Sequence, residues 1–288
     1  MRFSFAAGVA GSAANGRPHL SCAQMGCRLD CSRRRPQCLR TRESRTFSLG
    51  TVAQRHWQWQ LAGQINTGYD ASVYDIDLFN TAATVVAEMH AKGRRVVCYF
   101  SAGSSEDWRP DFGRFDDSNI GHPLEEWPGE RWLDTRSLNV REIMRGRLDL
   151  ARTKGCDGVE ADNVDAYLQQ SGFELDAATQ LDFNRFLAAE AHQRGLAAGL
   201  KNDLDQIPEL LPDFDFAVNE QCFEYAECEP YAAFVTAGKP VFNAEYAEQY
   251  RLNAHGERDD LCQTARAAHI QTLVLPLHLD DSLRFACD

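Results

Sequence analysis

Between residues 51 and 288, short apolar runs alternate with longer segments whose apolar residues recur every three or four positions. Short runs rich in β-branched and aromatic residues predict strands, and the three-to-four-residue period predicts amphipathic helices. Eight strands are predicted: His56–Leu61, Val73–Leu78, Arg95–Phe100, Gly158–Asn163, Leu196–Lys201, Asp215–Asn219, Pro240–Glu245 and Gln271–Pro276. Four helices are predicted between them: Thr81–Lys92, Arg141–Lys154, Thr179–Arg194 and Asp259–Ala268.

Glycine marks several helix-to-strand connections. Gly93, Gly155, Gly195 and Gly238 each precede a predicted strand, at a point where helices commonly end in a left-handed residue. Eight strands separated by helices predict an α/β fold, a (β/α)8 TIM barrel, for which about 250 residues are typical. A doubly wound open sheet is the alternative, but the sequence lacks the GxGxxG or P-loop motif that usually follows its first strand.

The first 50 residues differ in composition, and we treat them as a leader that precedes a barrel domain at residues 51–288. They contain nine Arg, no Lys and two acids, a polar and basic composition that predicts disorder. A short apolar stretch after Arg2 resembles a weak signal peptide, and a translated upstream region or a mispredicted start is the alternative. Four Cys lie here, at spacings that do not match a CxxC zinc motif: Cys22, Cys27, Cys31 and Cys38.

The barrel domain is strongly acidic. The whole chain has a net charge of −12, so a leader with nine Arg and two acids leaves −19 on residues 51–288. Such a charge disfavours nucleic acid as a partner and favours neutral or cationic ligands. No apolar run reaches the ~18 residues of a membrane span, so no membrane span is expected, and we expect a monomer.

The same domain contains six Cys: Cys98, Cys156, Cys222, Cys228, Cys262 and Cys287. An even number in an acidic domain predicts an oxidising compartment, hence secretion or the cell envelope, and up to three disulfides. Scattered buried thiols are the alternative. Fifteen pairings are possible for six Cys, and Cys222–Cys228 is the most plausible local pair because its short loop closes easily.

The densest group of acids lies at the fourth predicted strand, in the segment Cys156–Asp165. Strand alternation places Glu160 and Asp162 on one face, where two carboxylates repel each other and are costly to bury. A glycosidase needs such a group, because it uses one protonated carboxyl and one carboxylate across the scissile bond. Helix capping is the alternative; it would explain Asp162 or Asp165, but not Glu160 as well.

Other predicted strands also end in polar or aromatic residues. In a (β/α)8 barrel the carboxyl ends of the strands form the mouth that holds the active site. The sequence therefore predicts a polar and aromatic mouth built from Trp59, Asp77, Tyr99, Glu160, Asp162, Asn163, Lys201, Asn202, Glu220, Glu245 and Tyr246. No HxH, HExxH or GxSxG motif accompanies them, so we expect no metal, no cofactor and no serine nucleophile.

Most of these residues fall within an ordered series of segments, and in that series the chain resembles glycoside hydrolase family 114, the endo-α-1,4-polygalactosaminidases. The segments are Trp57–Leu61, Cys98–Gly103, Glu106–Asp111, Trp132–Asp134, Asp157–Asp165, Leu200–Asn202 and Asn219–Cys222. Ala161 stands where many members of that family have proline, and the leader has no counterpart in the resemblance.

The resemblance implies a TIM barrel that cleaves α-1,4-linked galactosamine polymers internally. It implies Asp162 as nucleophile or general base and Glu220 as general acid, on different strands from which they can face each other across a sugar. A carboxyl separation of ~5–5.5 Å would indicate retention of the anomeric configuration, and roughly 6.5–9.5 Å inversion. The sequence leaves that choice open.

Galactosamine is cationic near neutral pH, and a cationic or partly deacetylated polysaccharide is therefore the expected partner. The acids expected to contact its ammonium groups are Asp77, Glu160, Asp165 and Glu245, with Asn163 and Asn202 as further substrate-binding residues. The aromatic residues expected to stack on sugar faces are Trp59, Tyr99, Trp132 and Tyr246.

Several of these residues have a structural alternative. Trp59 has the pattern of a core residue, and Asp77 that of a helix cap or loop anchor. Lys201 is expected to pair with Glu160 or Asp162 and to hold down the pKa of that acid; simple neutralisation of a buried acid is the alternative.

Two other functions remain open from the sequence. A non-catalytic carbohydrate-binding barrel would keep the aromatic mouth but lose a catalytic carboxylate, and the presence of both Asp162 and Glu220 argues against it. A glycosidase for a neutral α-galactoside would share the fold and both carboxylates, because a fold does not by itself fix the substrate.

Overall fold

The computed structural model describes residues 56–287, so the predicted leader and its four Cys lie outside the described residues. The strands are β1 Trp57–Gln60, β2 Val73–Asp77, β3 Arg95–Ser101, β4 Ser104–Glu106, β5 Ile120–Pro123, β6 Glu130–Leu133, β7 Gly158–Asp162, β8 Ala197–Lys201, β9 Phe216–Glu220, β10 Val241–Glu245, β11 Gln271–Val274 and β12 Phe285–Ala286. Eight of them, β1 to β3 and β7 to β11, form one parallel sheet in chain order. All eight predicted strands are confirmed, with shifts of at most two residues at their ends.

This sheet curls until its first and last parallel strands meet. Trp57 Nε1 in β1 donates to Gln271 O in β11 at 3.0 Å. The short β12 pairs antiparallel with β11, and Arg284 beside it donates through Nη2 to Trp57 O at 2.9 Å. Within residues 56–287, β1 and β11 are not paired as neighbouring strands, and these side-chain hydrogen bonds connect the two edges of the sheet. The predicted α/β class, with a curled parallel sheet, is therefore confirmed.

The helices are α1 Ala83–Ala91, α2 Leu138–Lys154, α3 Ala177–Gln193, α4 Ile207–Leu210, α5 Ala232–Thr236, α6 Glu248–Leu252 and α7 Glu257–Ala268. The four predicted helices correspond to α1, α2, α3 and α7. The other three have at most five residues, too few for a periodic pattern to be visible in the sequence. As predicted, Gly93, Gly155, Gly195 and Gly238 adopt the left-handed conformation, with φ between 71° and 88°.

Two connections depart from the simple alternation of strands and helices. The link between β1 and β2 contains no helix in the described structure. The link between β3 and α2 contains a three-stranded antiparallel sheet, in the order β4-β6-β5, which the sequence did not predict. These strands have only three or four residues, and β5 contains Gly121 and Pro123, so their alternation is too short to recognise. We call this segment the inserted sheet; because it follows β3, it lies at the carboxyl edge of the main sheet.

The core has two layers, one inside the curl of the sheet and one between the sheet and the helices. In the inner layer Trp57 stacks on Phe242 with ring centroids 4.9 Å apart, and on Trp59 at 5.7 Å. Trp59 is only 2% exposed, so its interpretation as a core residue is correct. Among the described helices, none combines the length and apolar character needed to cross a membrane.

All six Cys of the barrel domain are paired. The disulfides are Cys98–Cys156, Cys222–Cys228 and Cys262–Cys287. The predicted local pair is confirmed, and the alternative of buried thiols is wrong. Cys98 lies in β3 and Cys156 just before β7, and these two strands are neighbours in the sheet, so the cross-link joins positions that only the fold brings together.

Removing the Cys98–Cys156 disulfide by a double Ser substitution should destabilise the protein more than removing Cys222–Cys228. The first cross-link spans 58 residues and the second 6. The chain-entropy relation then gives about 4 kcal/mol for the first and about 2 kcal/mol for the second. Denaturant unfolding of both double variants measures this difference; an equal loss of free energy of unfolding would contradict the entropic explanation.

Candidate active site

A cavity of about 990 Å³ opens at the carboxyl ends of the parallel strands. Ten of the predicted site residues line it: Trp59, Asp77, Tyr99, Trp132, Asp162, Asn163, Asp165, Lys201, Asn202 and Glu220. Asp162, Lys201 and Glu220 are the final residues of β7, β8 and β9. These strands are parallel neighbours, so their carboxyl ends lie side by side at one edge of the sheet. Three neighbouring strands therefore deliver one acid, one base and a second acid to the same place.

A single buried ammonium group joins the two predicted catalytic acids. Lys201 Nζ lies 2.9 Å from Asp162 Oδ1 and 2.7 Å from Glu220 Oε2. Since both oxygens lie at these distances from one nitrogen, they are at most 5.6 Å apart. Lys201 is 3% exposed at its side chain, whereas Asp162 and Glu220 are 16% and 27% exposed, so the acids face the cavity and the lysine lies behind them.

The surroundings of Asp162 favour its ionised form. Burial alone would raise the pKa of Asp162, but the charge and hydrogen bond of Lys201, together with two further hydrogen bonds, hold it below its ordinary value. Those two bonds come from Asn163 N to Oδ1 at 2.7 Å and from the Tyr99 hydroxyl to Oδ2 at 2.9 Å. Asn163 reaches this position with φ of 60°, one of the few left-handed non-glycine residues in the structure.

Glu220 is held on both of its oxygens. Tyr246 donates its hydroxyl to Glu220 Oε1 at 2.5 Å, while Lys201 occupies the other oxygen. The Asn202 side chain accepts from Glu220 N at 3.1 Å and so ties the end of β9 to the end of β8. Tyr246 does not line the cavity, so the structure places it as a support for Glu220 rather than as a surface for sugar stacking.

Glu160 lies below the cavity and not in it, which corrects the prediction that it contacts substrate. It is fully buried on β7, and Lys201 Nζ is 3.7 Å away, too far for a hydrogen bond. Burial and the neighbouring Asp75 raise the pKa of Glu160 well above its usual range, and burial raises that of Asp75 to about 7. Both effects favour the neutral form of Glu160, and of the three acids near Lys201 only Asp162 and Glu220 lie within hydrogen-bond distance of its Nζ.

Two other acids that the sequence predicts as ammonium contacts make structural contacts of their own. Glu245 points to the outer side of the sheet, is fully buried, and accepts from Phe223 N and from the Asn243 amide. Asp77 does line the cavity, but it is bound by both terminal nitrogens of Arg109 and anchors the loop after β2 through backbone bonds. The loop-anchor interpretation of Asp77 is therefore correct.

The inserted sheet supplies cavity residues whose role the sequence did not reveal. Glu106 and Glu130 are nearly buried in the cavity wall, and Trp108 and Trp127 lie at its rim with 53% and 39% of their surface exposed. Two exposed indoles at a cavity edge are better placed to stack on sugar than the buried Trp59. The segment around Glu106 and Trp108 could be recognised by resemblance, but its position opposite the ends of β7 and β8 depends on the fold.

A chain of hydrogen bonds connects this wall with Asp162. Asn163 Nδ2 donates to Ser101 Oγ at 2.9 Å and to Ser104 Oγ at 3.2 Å, and Ser104 Oγ donates to Glu130 Oε2 at 2.7 Å. Gly103 permits the close approach, because a Cβ there would come within 1.7 Å of the Asn163 carbonyl oxygen. The inserted sheet and the end of β7 are therefore one hydrogen-bonded unit.

Between residues 56 and 287, no group of three or more His, Cys, Asp or Glu side chains is arranged to hold a metal ion. What the described residues offer is two partly exposed carboxylates from different strands in an acidic cavity. Two carboxylates at the carboxyl edge of a curled parallel sheet are the arrangement found in glycoside hydrolases built on (β/α)8 barrels.

Comparison with known proteins identifies the family. The sequence model of glycoside-hydrolase family GH114 matches residues 39–288, most of the chain. The chain belongs to this family and is a glycoside hydrolase, and the resemblance found in the sequence is confirmed.

Three known proteins are similar to this chain in sequence or in fold. The crystal structure of Aspergillus fumigatus Ega3, solved as a complex with galactosamine, has a TM-score of 0.77 and 42% identity, covering 83% of this chain and 96% of Ega3. The glycoside hydrolase domain of PelA from Pseudomonas aeruginosa shares the fold, with a TM-score of 0.64, 15% identity, and coverage of 80% and 98%. An uncharacterized protein of Deinococcus radiodurans is 26% identical over 232 residues, 69% of this chain and 75% of its own length.

Proposed function

We propose that this protein is an endo-acting glycoside hydrolase that cleaves α-1,4-linked galactosamine polymers, with Asp162 and Glu220 as its catalytic pair. The observation that carries the proposal is the arrangement of these two carboxylates around Lys201 at the floor of an acidic cavity. The similarity to Ega3, a protein solved with galactosamine, supports the substrate class. The three disulfides support the further expectation that the protein is secreted or acts in the cell envelope.

In this proposal Asp162 is the nucleophile and Glu220 the general acid. Asp162 is held ionised, and it attacks the anomeric carbon while Glu220 gives its proton to the leaving glycosidic oxygen. In the second step Glu220 takes a proton from water, which displaces Asp162 from the sugar. Oxygens at most 5.6 Å apart fit the ~5–5.5 Å separation of retaining enzymes and leave little room for an inverting water.

Lys201 explains how one site supports both steps. In the proposed first step Asp162 attacks as a carboxylate and becomes bonded to the sugar, while Glu220 gives up its proton and is left with the negative charge. Lys201 Nζ is within hydrogen-bond distance of both acids, so its positive charge compensates each state without movement. Tyr246 adds a second hydrogen bond to the charge that forms on Glu220.

Product analysis on partly deacetylated α-1,4-galactosamine polymer tests the function. The wild-type chain should release short cationic oligosaccharides, and a Glu220→Gln control should not. Proton NMR during the first minutes should detect products with the anomeric configuration of the substrate. Cleavage of a neutral α-galactoside alone would point to the other glycosidase specificity, and salt-sensitive binding without cleavage would point to a binding module.

A further inference from the structure

Glu130 differs from Glu106, the other buried acid of the inserted sheet, because it forms no ion pair with a described residue, whereas Glu106 pairs with Arg109. Glu130 lies in β6, is 7% exposed, and lines the cavity. Its Oε2 accepts from Ser104 Oγ at 2.7 Å, whereas no described residue donates a hydrogen bond to Oε1. Burial, together with the neighbouring charges of Glu106 and Asp162, raises the pKa of Glu130 to about 7.

The two arginines near Glu106, Arg109 and Arg147, are already engaged by acids other than Glu130. Arg109 Nη2 lies 2.6 Å from both Asp77 Oδ2 and Glu106 Oε1, and Arg147 binds Asp111 through Nε and Nη2 at 2.9 Å. None of the basic side chains in residues 56–287 forms an ion pair with Glu130. In addition, Glu106 and Glu130 are directly opposite each other in the β4–β6 ladder, where like charges are destabilising.

A carboxylate that is buried opposite another acid is stabilised by a cation. Glu130 lines the cavity and its Oε1 accepts no hydrogen bond from a described residue, so a cationic ligand in the cavity can supply that charge. We propose that Glu130 is a specificity-determining residue that binds the ammonium group of a galactosamine unit next to the scissile bond. This inference rests on the proposed function, because it assigns a contact to that substrate. The described residues do not form a metal-binding cluster, and an ammonium group supplies both the missing charge and a hydrogen-bond donor for Oε1.

A chain of hydrogen bonds connects Glu130, the proposed ammonium-binding residue, with the proposed nucleophile Asp162. Ser104 binds Glu130 and also accepts from Asn163, whose backbone N–H donates to Asp162. A sugar whose ammonium group is held by Glu130 is therefore positioned relative to the carboxylate that attacks it. An acetylated sugar has no charge at the same atom and adds an acetyl group, so it leaves Glu130 without its partner.

The test compares wild type, Glu130→Gln and Glu88→Gln with galactosamine and N-acetylgalactosamine ligands. Glu88 is an exposed acid on α1 outside the cavity, so its variant controls for the change in net charge. Two measurements are made: kcat/KM on α-1,4-linked oligomers of each sugar, and Kd for each monosaccharide by NMR titration. Glu130→Gln should lose about 10- to 100-fold in kcat/KM on the galactosamine oligomer and bind galactosamine more weakly. Its values for the acetylated ligands, and all values of Glu88→Gln, should match wild type.

The outcomes separate this inference from the proposed function. If the wild type cleaves galactosamine oligomers and Glu130→Gln keeps the same preference for them, the subsite is overturned while the hydrolase proposal stands. If the wild type cleaves neither oligomer, the proposed function fails, and equal galactosamine Kd values in both proteins overturn the subsite as well. Thermal melting verifies folding; should Glu130→Gln fail to fold, Glu130→Asp, which keeps the charge but draws the carboxylate back from the cavity by one methylene group, must weaken galactosamine binding selectively, and an unchanged Kd overturns the assignment.

Discussion

Replacing Asp162 with asparagine should lower kcat by about 10⁴-fold or more while leaving the fold intact, because an amide cannot form the sugar ester that the first step requires. The amide can keep the existing contacts. Its oxygen can accept from Lys201 Nζ and Asn163 N, and its NH2 group can donate to the Tyr99 hydroxyl after that hydroxyl rotates. Initial rates on the galactosamine polymer and a thermal melt of the same preparation measure the two quantities.

Glu220→Gln is the matched variant for the other role. It should lose about 10²- to 10⁴-fold on the natural polymer, because it removes only the proton donor. On a substrate whose leaving group departs without protonation, such as a nitrophenyl glycoside, its first step should be much less affected, whereas Asp162→Asn should remain inactive on both. If both variants retained substantial activity on the polymer, the catalytic assignment would be wrong; if Glu220→Gln alone were inactive on both substrates, the two roles would be reversed.

Lys201→Met should be the most damaging substitution for stability and activity together. It leaves Asp162 and Glu220 without the ammonium group between them, and removal of one partner from a buried ion pair typically costs about 3–5 kcal/mol. Loss of a preorganised charge at the reacting groups should also lower kcat by about 10²- to 10³-fold. Denaturant unfolding and initial rates, both at neutral pH, measure the two losses.

The pH dependence of Lys201→Met distinguishes this electrostatic role from simple packing. Lys201 is what holds the pKa of Asp162 down against burial, so in the variant that pKa should rise and the acidic limb of the rate profile should move to higher pH. The loss of stability should be greatest at neutral pH and shrink as pH falls through the raised pKa, where the carboxyl becomes neutral. Lys201→Arg, which keeps the charge, should retain an acidic limb near that of wild type. An unshifted limb in Lys201→Met would contradict the role assigned to this residue.

Strand assignment from the sequence succeeded because the signal is local. The main strands consist of continuous buried runs with β-branched or aromatic residues, and glycine in a left-handed conformation ends the helices before them. The inserted sheet and helices α4 to α6 were missed for the opposite reason. Their three-to-five-residue segments are too short for any periodicity to be visible in the sequence.

The site was predicted in part, and its errors share one cause. The prediction assigned residues at strand ends to the site. Asp162, Lys201 and Glu220 do line one cavity, but Glu245, which was assigned by the same criterion, does not. Glu245 is the final residue of β10, like Glu220 in β9, yet its side chain points outward, where Phe223 N and Asn243 bind it. The order of polar residues in the chain does not say which side of the sheet each one faces, since that depends on the register of its neighbours.

The sequence by itself determined the class of fold, the family, the local Cys222–Cys228 pair and the acids from which the catalytic pair is proposed. These follow from strand and helix periodicity, residue spacing and ordered motifs, all of which are properties of short stretches of chain. Tertiary structure decided that Lys201 lies between Asp162 and Glu220, that burial raises the pKa of Glu160, and that Glu130 lines the cavity without an ion-pair partner among the described residues. Such facts depend on distances and desolvation between residues far apart in the chain, and these quantities exist only once the sheet has curled and the inserted sheet has packed against its edge.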